Sequence, residues 1–380
     1  MSLKSKKPEI SIILPCRNEE KSLDYVLREI KSVIKENNLN AEIIVSDSSS
    51  DSCFEIAKKH KVRIVKHNKN GYGNAYLEAY PKAKGDLIFM ADSDGTYEFK
   101  EIPKFISYLK KGNDFVIGDR FSGKMHKKSM PLLHKYIGNP VLSGLVRMFY
   151  GKKVKDVHCG MRAIKKEKLK DLKLKTTGME FASEMVIKAM QNNLKIKEVP
   201  IEYKERIGKS KLRSFRDGWR HLRFILLYSP LLLFFIPGTI LFLTGVLTLT
   251  LFYFGNPLIL GKEFIYHPMF ISSALTVIGY QIIIFAGFAK IYAMTHFDEK
   301  NKFLEKIFRY ITLEKAITVG TILTILGILI YIFILHQWIS IGFGELNQIK
   351  NSIIALTLII VGIQTIFSSF MLSILGIKER

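Results

Sequence analysis

Two carboxylates stand two residues apart directly after an apolar stretch of the chain. Residues 87–90 are entirely apolar, which is typical of a strand buried on both faces, and Asp92 and Asp94 follow in the sequence ADSDG. Carboxylates at this spacing can both face a hard divalent cation, Mg²⁺ or Mn²⁺, that is shared with the phosphates of a nucleotide. A polar turn that closes the strand is the alternative, because a lone DxD pattern is common by chance.

The elements before this pair predict an α/β domain with a doubly wound, mostly parallel sheet. Apolar runs indicate strands, and apolar residues at helical spacing indicate the helices between them. The crevice beyond the carboxyl ends of parallel strands is where such sheets bind ligands. The predicted strands are 10–15, 41–46, 62–66 and 87–90, and the predicted helices are 20–35 and 53–60.

Three polar residues lie at the ends of these predicted elements. Asp47 follows the second strand, where a carboxylate can accept hydrogen bonds from a nucleobase or ribose, and helix capping is the alternative. For Asp51 capping is the preferred interpretation, and Asn18 is placed to cap the first helix.

Charge divides the chain of 380 residues into two parts. Of its 57 Lys and Arg residues, 47 precede residue 231, and residues 121–230 alone carry 26 of them against 9 Asp and Glu. A basic surface that leads into apolar segments favours anionic lipid over nucleic acid as its partner. We therefore expect a lipid bilayer, and no nucleic acid, to contact this protein.

The second part of the chain predicts four membrane-spanning helices. Each apolar stretch reaches the ~20 residues that cross the hydrocarbon of a bilayer. The basic connection at 295–315 predicts a multi-pass protein with the first domain and both termini in the cytosol. No apolar leader precedes the first strand, and the spans are interpreted as an anchor through which copies of the chain could form a homo-oligomer. The predicted spans are 231–254, 268–289, 316–335 and 352–377.

Two amphipathic stretches are candidates for the membrane interface. Residues 213–228 combine four arginines with Trp219 and Phe224 just before the first span, which is typical of an interfacial segment. Residues 131–150 are rich in Leu, Val and Ile with scattered cations. They fit either an interfacial helix that guides a lipid or a helix packed on the core.

Several motifs in order resemble a known family. PCRNEE at 15–20, VSD at 45–47 and DSDG at 92–95 are similar to the nucleotide-sugar half of glycosyltransferase family 2, which has the Rossmann-like GT-A fold. Over about residues 8–225 the chain looks like the dolichyl-phosphate mannose and glucose synthases. The stretches that carry this second resemblance are IGDRF, KYIGNPVLSGL, KDVHCGMRAIKKE, GMEFASEM and ERIGKSKL.

The resemblance implies a set of site residues. Asp92 and Asp94 would hold the metal and the diphosphate, and Thr96 stands where part of the family has a third ligand, which leaves that ligand open. Arg120, counted with the two aspartates as catalytic, would meet phosphate together with other cations. The residues implied to bind the nucleotide sugar are Pro15, Arg17, Glu19, Val45, Asp47, Asp92, Ser93 through its backbone, Asp94, Arg120, Arg206 and Lys211.

The resemblance also implies the organisation and reaction of the chain. Residues 1–212 would be a cytosolic GT-A domain, 213–230 an interfacial segment and 231–380 a transmembrane domain. The implied reaction is inverting transfer of mannose or glucose from a GDP- or UDP-sugar to dolichyl or another polyprenyl phosphate. Bringing at least three phosphates together requires a divalent cation and Arg or Lys donors to offset their repulsion.

Two rival functions remain open. A polysaccharide synthase with a sugar hydroxyl acceptor would need a general base and, in the family, a QxxRW segment, for which 216–220 offers only RDGWR. Glu180 and Glu184 share one helix face and could supply a base, lie on the helix surface, or contact Arg162. A phosphate acceptor needs no base, since it is already anionic. The other rival is a non-catalytic membrane scaffold.

Overall fold

The structure is a computed structural model of the full chain. It describes residues 7–150, 154–208, 214–227, 231–256, 258–259, 262–263, 265–296 and 312–376. The chain divides into two compact units, Met1–Ile225 and Leu226–Arg380.

A seven-stranded sheet forms the centre of the first unit. Its strands are β1 Ile10–Cys16, β2 Ala41–Asp47, β3 Arg63–Lys66, β4 Leu87–Met90, β5 Phe115–Asp119, β6 Arg162–Lys165 and β7 Ile196–Pro200. Its helices are α1 Glu20–Glu36, α2 Cys53–Lys59, α3 Tyr72–Ala79, α4 Ile102–Lys110, α5 Asn139–Tyr150, α6 Lys166–Asp171, α7 Phe181–Gln191 and α8 Ser214–Leu227.

The strand order is β3-β2-β1-β4-β6-β5-β7. Strands β3, β2, β1 and β4 are parallel, β6 runs antiparallel between β4 and β5, and β7 is parallel to β5. The predicted doubly wound, mostly parallel sheet is confirmed, and its first four strands lie within one residue of the predicted positions. This order brings the carboxyl ends of β1, β2 and β4 to one edge.

The two capping predictions have different outcomes. Asn18 does not cap α1, because it has a positive φ of 53° and its side-chain oxygen accepts a hydrogen bond from the Ser50 amide instead. The preferred interpretation of Asp51 is confirmed, since its carboxylate accepts from the amides of Cys53 and Glu20 at 3.1 Å each. Asp51 therefore ties the start of α1 to the start of α2.

Residues 131–150, the amphipathic stretch before β6, show features of both predicted alternatives, a helix packed on the core and an interfacial helix. In α5 the side chains of Leu142 and Val146 are buried, so this helix packs on the core. Several apolar side chains on and before α5 are nevertheless exposed, which suits a membrane interface. These are Leu132, Leu133, Tyr136, Ile137, Val141 and Met148.

Helix α8 is likewise amphipathic. His221 and Ile225 are buried in the first unit, while Trp219 is 61% exposed. Arg220 and Arg223 lie on its exposed side. The helix is therefore seated on the first unit with an aromatic and basic face outward, as an interfacial segment requires.

Arg162 at the start of β6 is a buried cation held by backbone carbonyls. Its guanidinium donates to the carbonyl oxygens of Cys159 (2.6 Å), Val157 (2.8 Å) and Ala182 (2.8 Å). It makes no ion pair with Glu180 or Glu184, so the contact suggested between them is wrong. Arg162 fixes the loop before β6 against α7.

Replacing this cation should destabilise the fold. Arg162→Met leaves three buried carbonyls unpaired, and at about 1–3 kcal/mol per unsatisfied group we expect a loss of about 3 kcal/mol or more. Arg28→Met, which removes only an exposed ion pair with Asp24, should cost less than about 1 kcal/mol. Thermal unfolding of the full chain in detergent measures both, and equal losses would contradict this role.

Four long apolar helices lie in the described part of the second unit. They are α9 Ile236–Phe254, α10 His267–His296, α11 Leu313–Ser340 and α12 Ile349–Leu375. All four are long and apolar enough to cross a membrane, which confirms the predicted spans. Helix α9 packs on α10, α10 on α12, and α12 on α11, so the helices follow one another in a row.

Glycines allow these helices to approach closely. A Cβ at Gly245 of α9 would lie 2.4 Å from the Thr276 backbone nitrogen of α10, and one at Gly320 of α11 would lie 2.7 Å from the Gly362 carbonyl oxygen of α12. The hydrophobic effect does not drive helices together in lipid. Van der Waals contacts between closely approaching backbones therefore supply much of the packing energy.

Candidate functional site

The ends of three neighbouring strands are fastened together at one sheet edge. Cys16, the last residue of β1, pairs with Asp47, the last residue of β2. After β4, the hydroxyl of Ser93 donates to the Pro15 carbonyl at 2.6 Å, and the Ser93 carbonyl accepts from the hydroxyl of Ser22 at 2.7 Å. Ser93 and Pro15 therefore hold the two aspartates beside the end of β1.

Asp94 is the centre of a charged cluster. Its Oδ1 accepts from the Thr96 amide at 3.1 Å and from the Thr96 hydroxyl at 2.6 Å. Its Oδ2 lies 3.0 Å from the Arg206 guanidinium, which also pairs with Glu19. Three of the residues assigned from sequence, Glu19, Asp94 and Arg206, thus meet although the chain separates the first and last by 187 positions.

Arg206 reaches Asp94 because its segment runs along the residues that follow β4. Tyr203 forms an antiparallel bridge with Tyr97. The amides of Lys204 and Ile207 donate to the carbonyls of Thr96 (2.8 Å) and Asp94 (2.9 Å). Residues 203–207 therefore run beside the aspartate pair, and Lys211, which follows them in the same motif, lies outside the described residues.

Asp92 has a tightly enclosed carboxylate. A Cβ at Gly160 would lie 2.6 Å from its Oδ2, so only glycine lets the backbone come this close. Loss of solvent and the neighbouring charge of Asp94 raise the pKa of Asp92 to about 7, against the opposing effects of Arg206 and Arg120. A carboxylate with this pKa is stabilised by any further positive charge at the site.

Asp47 is fully buried with half of its hydrogen-bonding capacity unused. Its Oδ1 accepts from the Ser49 amide at 2.9 Å, and its Oδ2 has no partner among the described residues. An unpaired buried carboxylate oxygen is costly. This oxygen fits the predicted acceptor for a nucleobase or ribose donor.

Arg120 is placed differently from its sequence-based role. Its guanidinium forms two hydrogen bonds with Asp156, at 2.6 and 2.8 Å, and lies over the Tyr203 ring at 5.1 Å from the centroid. Both its side chain and that of Asp156 are buried. The guanidinium of Arg120 is thus occupied by Asp156. Its positive charge nevertheless opposes the rise in the pKa of Asp92.

Two other residues assigned to the site from the sequence differ in exposure, one in the core and one at the edge of the site. Val45 is fully buried in β2, paired with Leu14 and Ile64, so its side chain packs within the sheet near Asp47, and its assignment to the nucleotide-sugar site stays a prediction. Arg17 is exposed at the rim and engaged in an interaction of its own.

The two glutamates of α7 have separate environments. Glu184 is fully buried and accepts from the amide and hydroxyl of Thr176 at 2.8 and 2.6 Å, and from Lys188 at 2.8 Å. Its role is structural. Glu180 accepts from the Gly178 amide at 3.3 Å, and its Oε2 has no partner in the described part of the chain.

The carboxylates of Asp92 and Asp94 fit a hard divalent cation whose coordination shell is completed by a bound ligand. Asp92 and Asp94 supply carboxylate oxygens, as Mg²⁺ and Mn²⁺ prefer. Across the described ranges no cluster of three or more His, Cys, Asp or Glu could hold a metal. The Thr96 hydroxyl donates to Asp94, so Thr96 orients a carboxylate. Further ligands would come from diphosphate oxygens or water.

A cluster of two histidines and a serine lies behind the Gly160 loop. The Ser183 hydroxyl is 3.2 Å from His158 Nε2 and 2.8 Å from His221 Nδ1, and the two rings are 4.5 Å apart. Burial, then His221 and the nearby arginines, lowers the pKa of His158 well below its usual value. The cluster joins α8 to the loop that contacts Asp92.

The lowered pKa of His158 predicts a pH-dependent stability. The folded state keeps His158 neutral while the unfolded chain takes a proton below about pH 6.5, so stability falls as the pH drops through that value. Between about pH 7.5 and about pH 5.5 we expect the wild type to lose about 1.4 kcal/mol more than His158→Gln.

Thermal unfolding across this pH range measures the difference. His126→Gln is the matched control, because His126 lies on the surface beside Glu202. A His158→Gln variant as acid-sensitive as the wild type would remove His158 as the cause.

The segment KDVHCGMRAIKKE contributes several residues to the site that the sequence analysis did not assign. Asp156, His158, Gly160 and Arg162 all come from it. No local periodicity distinguishes them, since their partners lie far away in the chain. Only the close spacing of so many polar and glycine residues before a short strand could have drawn attention to it.

Comparison with known proteins gives consistent matches. Residues 11–173 match the family described as glycosyl transferase family 2, and residues 287–376 match the glycosyltransferase family 2 C-terminal transmembrane region. The chain is 35% identical over 370 residues to the low-salt glycan biosynthesis hexosyltransferase Agl6 of Haloferax volcanii, covering 97% of this chain and 89% of that protein.

Two further matches each cover a little over half of this chain. A dolichyl-phosphate hexose transferase of Haloferax volcanii is 32% identical over 211 residues, which is 55% of this chain and 89% of that protein. A dolichol-phosphate mannosyltransferase of Pyrococcus furiosus is 28% identical over 225 residues, which is 57% of this chain and 62% of that protein.

The mixed sheet, the aspartate pair after β4 and the four apolar helices define a GT-A-like glycosyltransferase domain in a membrane protein. The chain belongs to glycosyltransferase family 2. The resemblance inferred from its motifs is confirmed, and so is the membrane region. The orientation of the termini and the boundaries at 212 and 230 remain predictions.

Proposed function

We propose that this protein transfers a single hexose, mannose or glucose, from a GDP- or UDP-sugar to dolichyl or another polyprenyl phosphate at the cytosolic membrane face. The observation that carries the proposal is the cluster of Asp92, Asp94, Arg206 and Glu19, in which Arg206 pairs with both Asp94 and Glu19. It occurs in a chain with four apolar helices, and the similarity to a hexosyltransferase covers 97% of this chain.

The bond changes follow from an acceptor that is already anionic. A phosphate oxygen of the lipid attacks the anomeric carbon of the sugar from the side opposite the nucleotide. The bond from that carbon to the diphosphate oxygen breaks, and the nucleoside diphosphate leaves with the electron pair. The configuration inverts, and positioning and charge neutralisation supply the rate enhancement.

The residues of this chain bind the sugar donor and neutralise the charge of its phosphates. Asp47 offers its unpaired oxygen to the nucleoside. Arg206 can exchange Asp94 for phosphate oxygens, because its side chain is only half-buried and already spans two carboxylates. Arg120 stays on Asp156 and contributes a fixed positive charge. Asp92 and Asp94 would hold Mg²⁺ or Mn²⁺, which supplies charge neutralisation to the departing diphosphate when bound.

Loss of one carboxylate tests the cation site. Asp94→Asn removes a ligand and half of the Arg206 pairing, and we expect turnover to fall by at least about 10²-fold. The assay is transfer from radiolabelled UDP-glucose and GDP-mannose to short-chain polyprenyl phosphate, with Mg²⁺, Mn²⁺ or EDTA.

The matched control is Asp86→Asn, because Asp86 is exposed and pairs only with Lys7 among the described ion pairs. It should retain full turnover. Normal transfer by a folded Asp94→Asn protein would show that the aspartate pair is not the cation site.

The Oε2 atom of Glu180 has no partner among the described residues and could act as a general base. A polysaccharide synthase is therefore the second candidate function. A hydroxyl acceptor needs a general base, and removing one costs typically 10²–10⁴-fold. With polyprenyl phosphate as acceptor, Glu180→Gln should stay within about threefold of the wild type, since a phosphate needs no deprotonation.

The exposed Glu205 provides a matched Glu205→Gln control. A loss of about 10²-fold or more in Glu180→Gln, together with polymeric product, would favour the hydroxyl acceptor. Failure of transfer from every donor, despite nucleotide binding, would favour the scaffold.

A further inference from the structure

A second ion pair holds the segment that carries Arg206. Two residues before Arg206, the Lys204 ammonium pairs with the Glu98 carboxylate. The amide of Lys204 also donates to the Thr96 carbonyl at 2.8 Å, so the backbone and the side chain of one residue both contact the loop that follows β4. Lys204 therefore fastens its segment to this loop by contacts that do not involve Arg206.

Helix α1 supports the other member of this pair. Glu29 of α1 accepts a hydrogen bond from the Phe99 amide at 2.9 Å, which holds the backbone next to Glu98. The carboxyl groups of Glu29 and Glu98 also interact with each other. Lys204 thus joins its own segment to two carboxylates, one on α1 and one in the loop after β4.

The positive charge of Lys204 is stabilised where it lies. Burial and the neighbouring Glu98 raise the pKa of Glu29, while the Phe99 amide and Lys204 oppose the rise. Against the effect of burial, Glu98 raises the pKa of Lys204, with smaller contributions from Tyr25 and Glu29. Without the ammonium the two neighbouring carboxylates would repel each other, which would weaken the contact of this loop with its partners.

The two cations of the segment face different competition from a ligand. Arg206 pairs with Asp94 at 3.0 Å and with Glu19, and a divalent cation at the aspartate pair would compete for Asp94. Glu98 lies four positions beyond Asp94 and is paired with Lys204. The pair of Lys204 and Glu98 can therefore persist while Arg206 changes its partner.

The backbone on both sides of Arg206 is fixed to the same loop. The amides of Lys204 and Ile207 donate to the carbonyls of Thr96 and Asp94 at 2.8 and 2.9 Å. A side chain that exchanges partners needs such a fixed base, because a misplacement of about 1 Å can cost about 10²-fold in rate. Of these two backbone contacts, the one at Lys204 is reinforced by an ion pair of the same residue.

We infer that Lys204 is a positioning residue of the donor site, whose pair with Glu98 keeps residues 203–207 in place while Arg206 exchanges Asp94 for phosphate oxygens of the sugar nucleotide. The inference rests on the proposed function, in which Arg206 makes this exchange. Lys204 acts through Arg206 and does not contact the donor.

Binding of a nucleoside diphosphate tests the inference without turnover. Calorimetry of the full chain in nanodiscs measures the Kd of GDP and of UDP, each with Mn²⁺. For the nucleotide that the wild type binds more tightly, we expect Lys204→Met to raise the Kd about tenfold, as loss of one charged hydrogen bond would. Lys204→Arg keeps the charge and should stay within about threefold of the wild type.

Lys124→Met is the matched control, because Lys124 contacts the same segment through an exposed pair with Glu202 at 3.7 Å. Its Kd should equal that of the wild type. Glu98→Gln weakens the pair from the other side and should raise the Kd about threefold or more, which keeps the test decisive where Lys204→Met does not fold. Wild-type affinity in a folded Lys204→Met or Glu98→Gln protein overturns the inference.

A double-mutant cycle separates positioning from a general effect on the fold. Since Lys204 acts through Arg206, Arg206→Met and the double variant Arg206→Met, Lys204→Met should have Kd values within about twofold of each other. Additive losses, with Lys204→Met just as costly in the absence of the Arg206 guanidinium, overturn the inference.

Transfer assays in the same nanodiscs keep the two proposals apart. With polyprenyl phosphate as acceptor, Lys204→Met should raise the KM of the sugar nucleotide and keep kcat within about threefold, since Arg206 contacts the donor before and during transfer. Coupled binding in a protein that transfers no sugar supports this inference and overturns the proposed function. Normal transfer without coupling overturns this inference alone, and a wild type that binds neither nucleotide overturns both.

Discussion

The structure of the first unit depends on keeping two carboxylates, Asp92 and Asp94, side by side in a partly desolvated position. Their mutual repulsion and the loss of water both disfavour the charged state, and the raised pKa of Asp92 is the direct consequence. The fold offsets this cost with positive charge brought from distant parts of the chain. The segment at 203–208 delivers Arg206, and the loop after β5 delivers Arg120.

These two cations differ in how firmly they are held. Arg120 is buried and bound twice by Asp156, so its charge is a permanent part of the site. Arg206 is half-buried and shared between Asp94 and Glu19, which both lie at the ligand-facing edge. A bound cation would compete directly for Asp94, whereas Arg120 would be unaffected. The site therefore combines a fixed positive background with one exchangeable donor.

Local patterns were sufficient for the first four strands, the aspartate pair and the four spans, because apolar runs and strand-end carboxylates act over a few residues. Pairings across long stretches of chain were not predictable from one sequence. The antiparallel β6 depends on Arg162 and its three carbonyls, and Arg120 meets Asp156 across 36 positions. Gly160 is informative only once Asp92 is known to lie against it.

A continuous set of contacts links the helix before the first span to the aspartate pair. His221 of α8 bonds Ser183, Ser183 bonds His158, and Gly160 two residues later touches Asp92. The Ser183 hydroxyl lies 2.8 Å from His221 Nδ1 and 3.2 Å from His158 Nε2, so α8 is bonded through α7 to the loop that carries Gly160. Since α8 directs Trp219 outward, the element suited to the membrane interface is also the one that supports the loop beside the cation site.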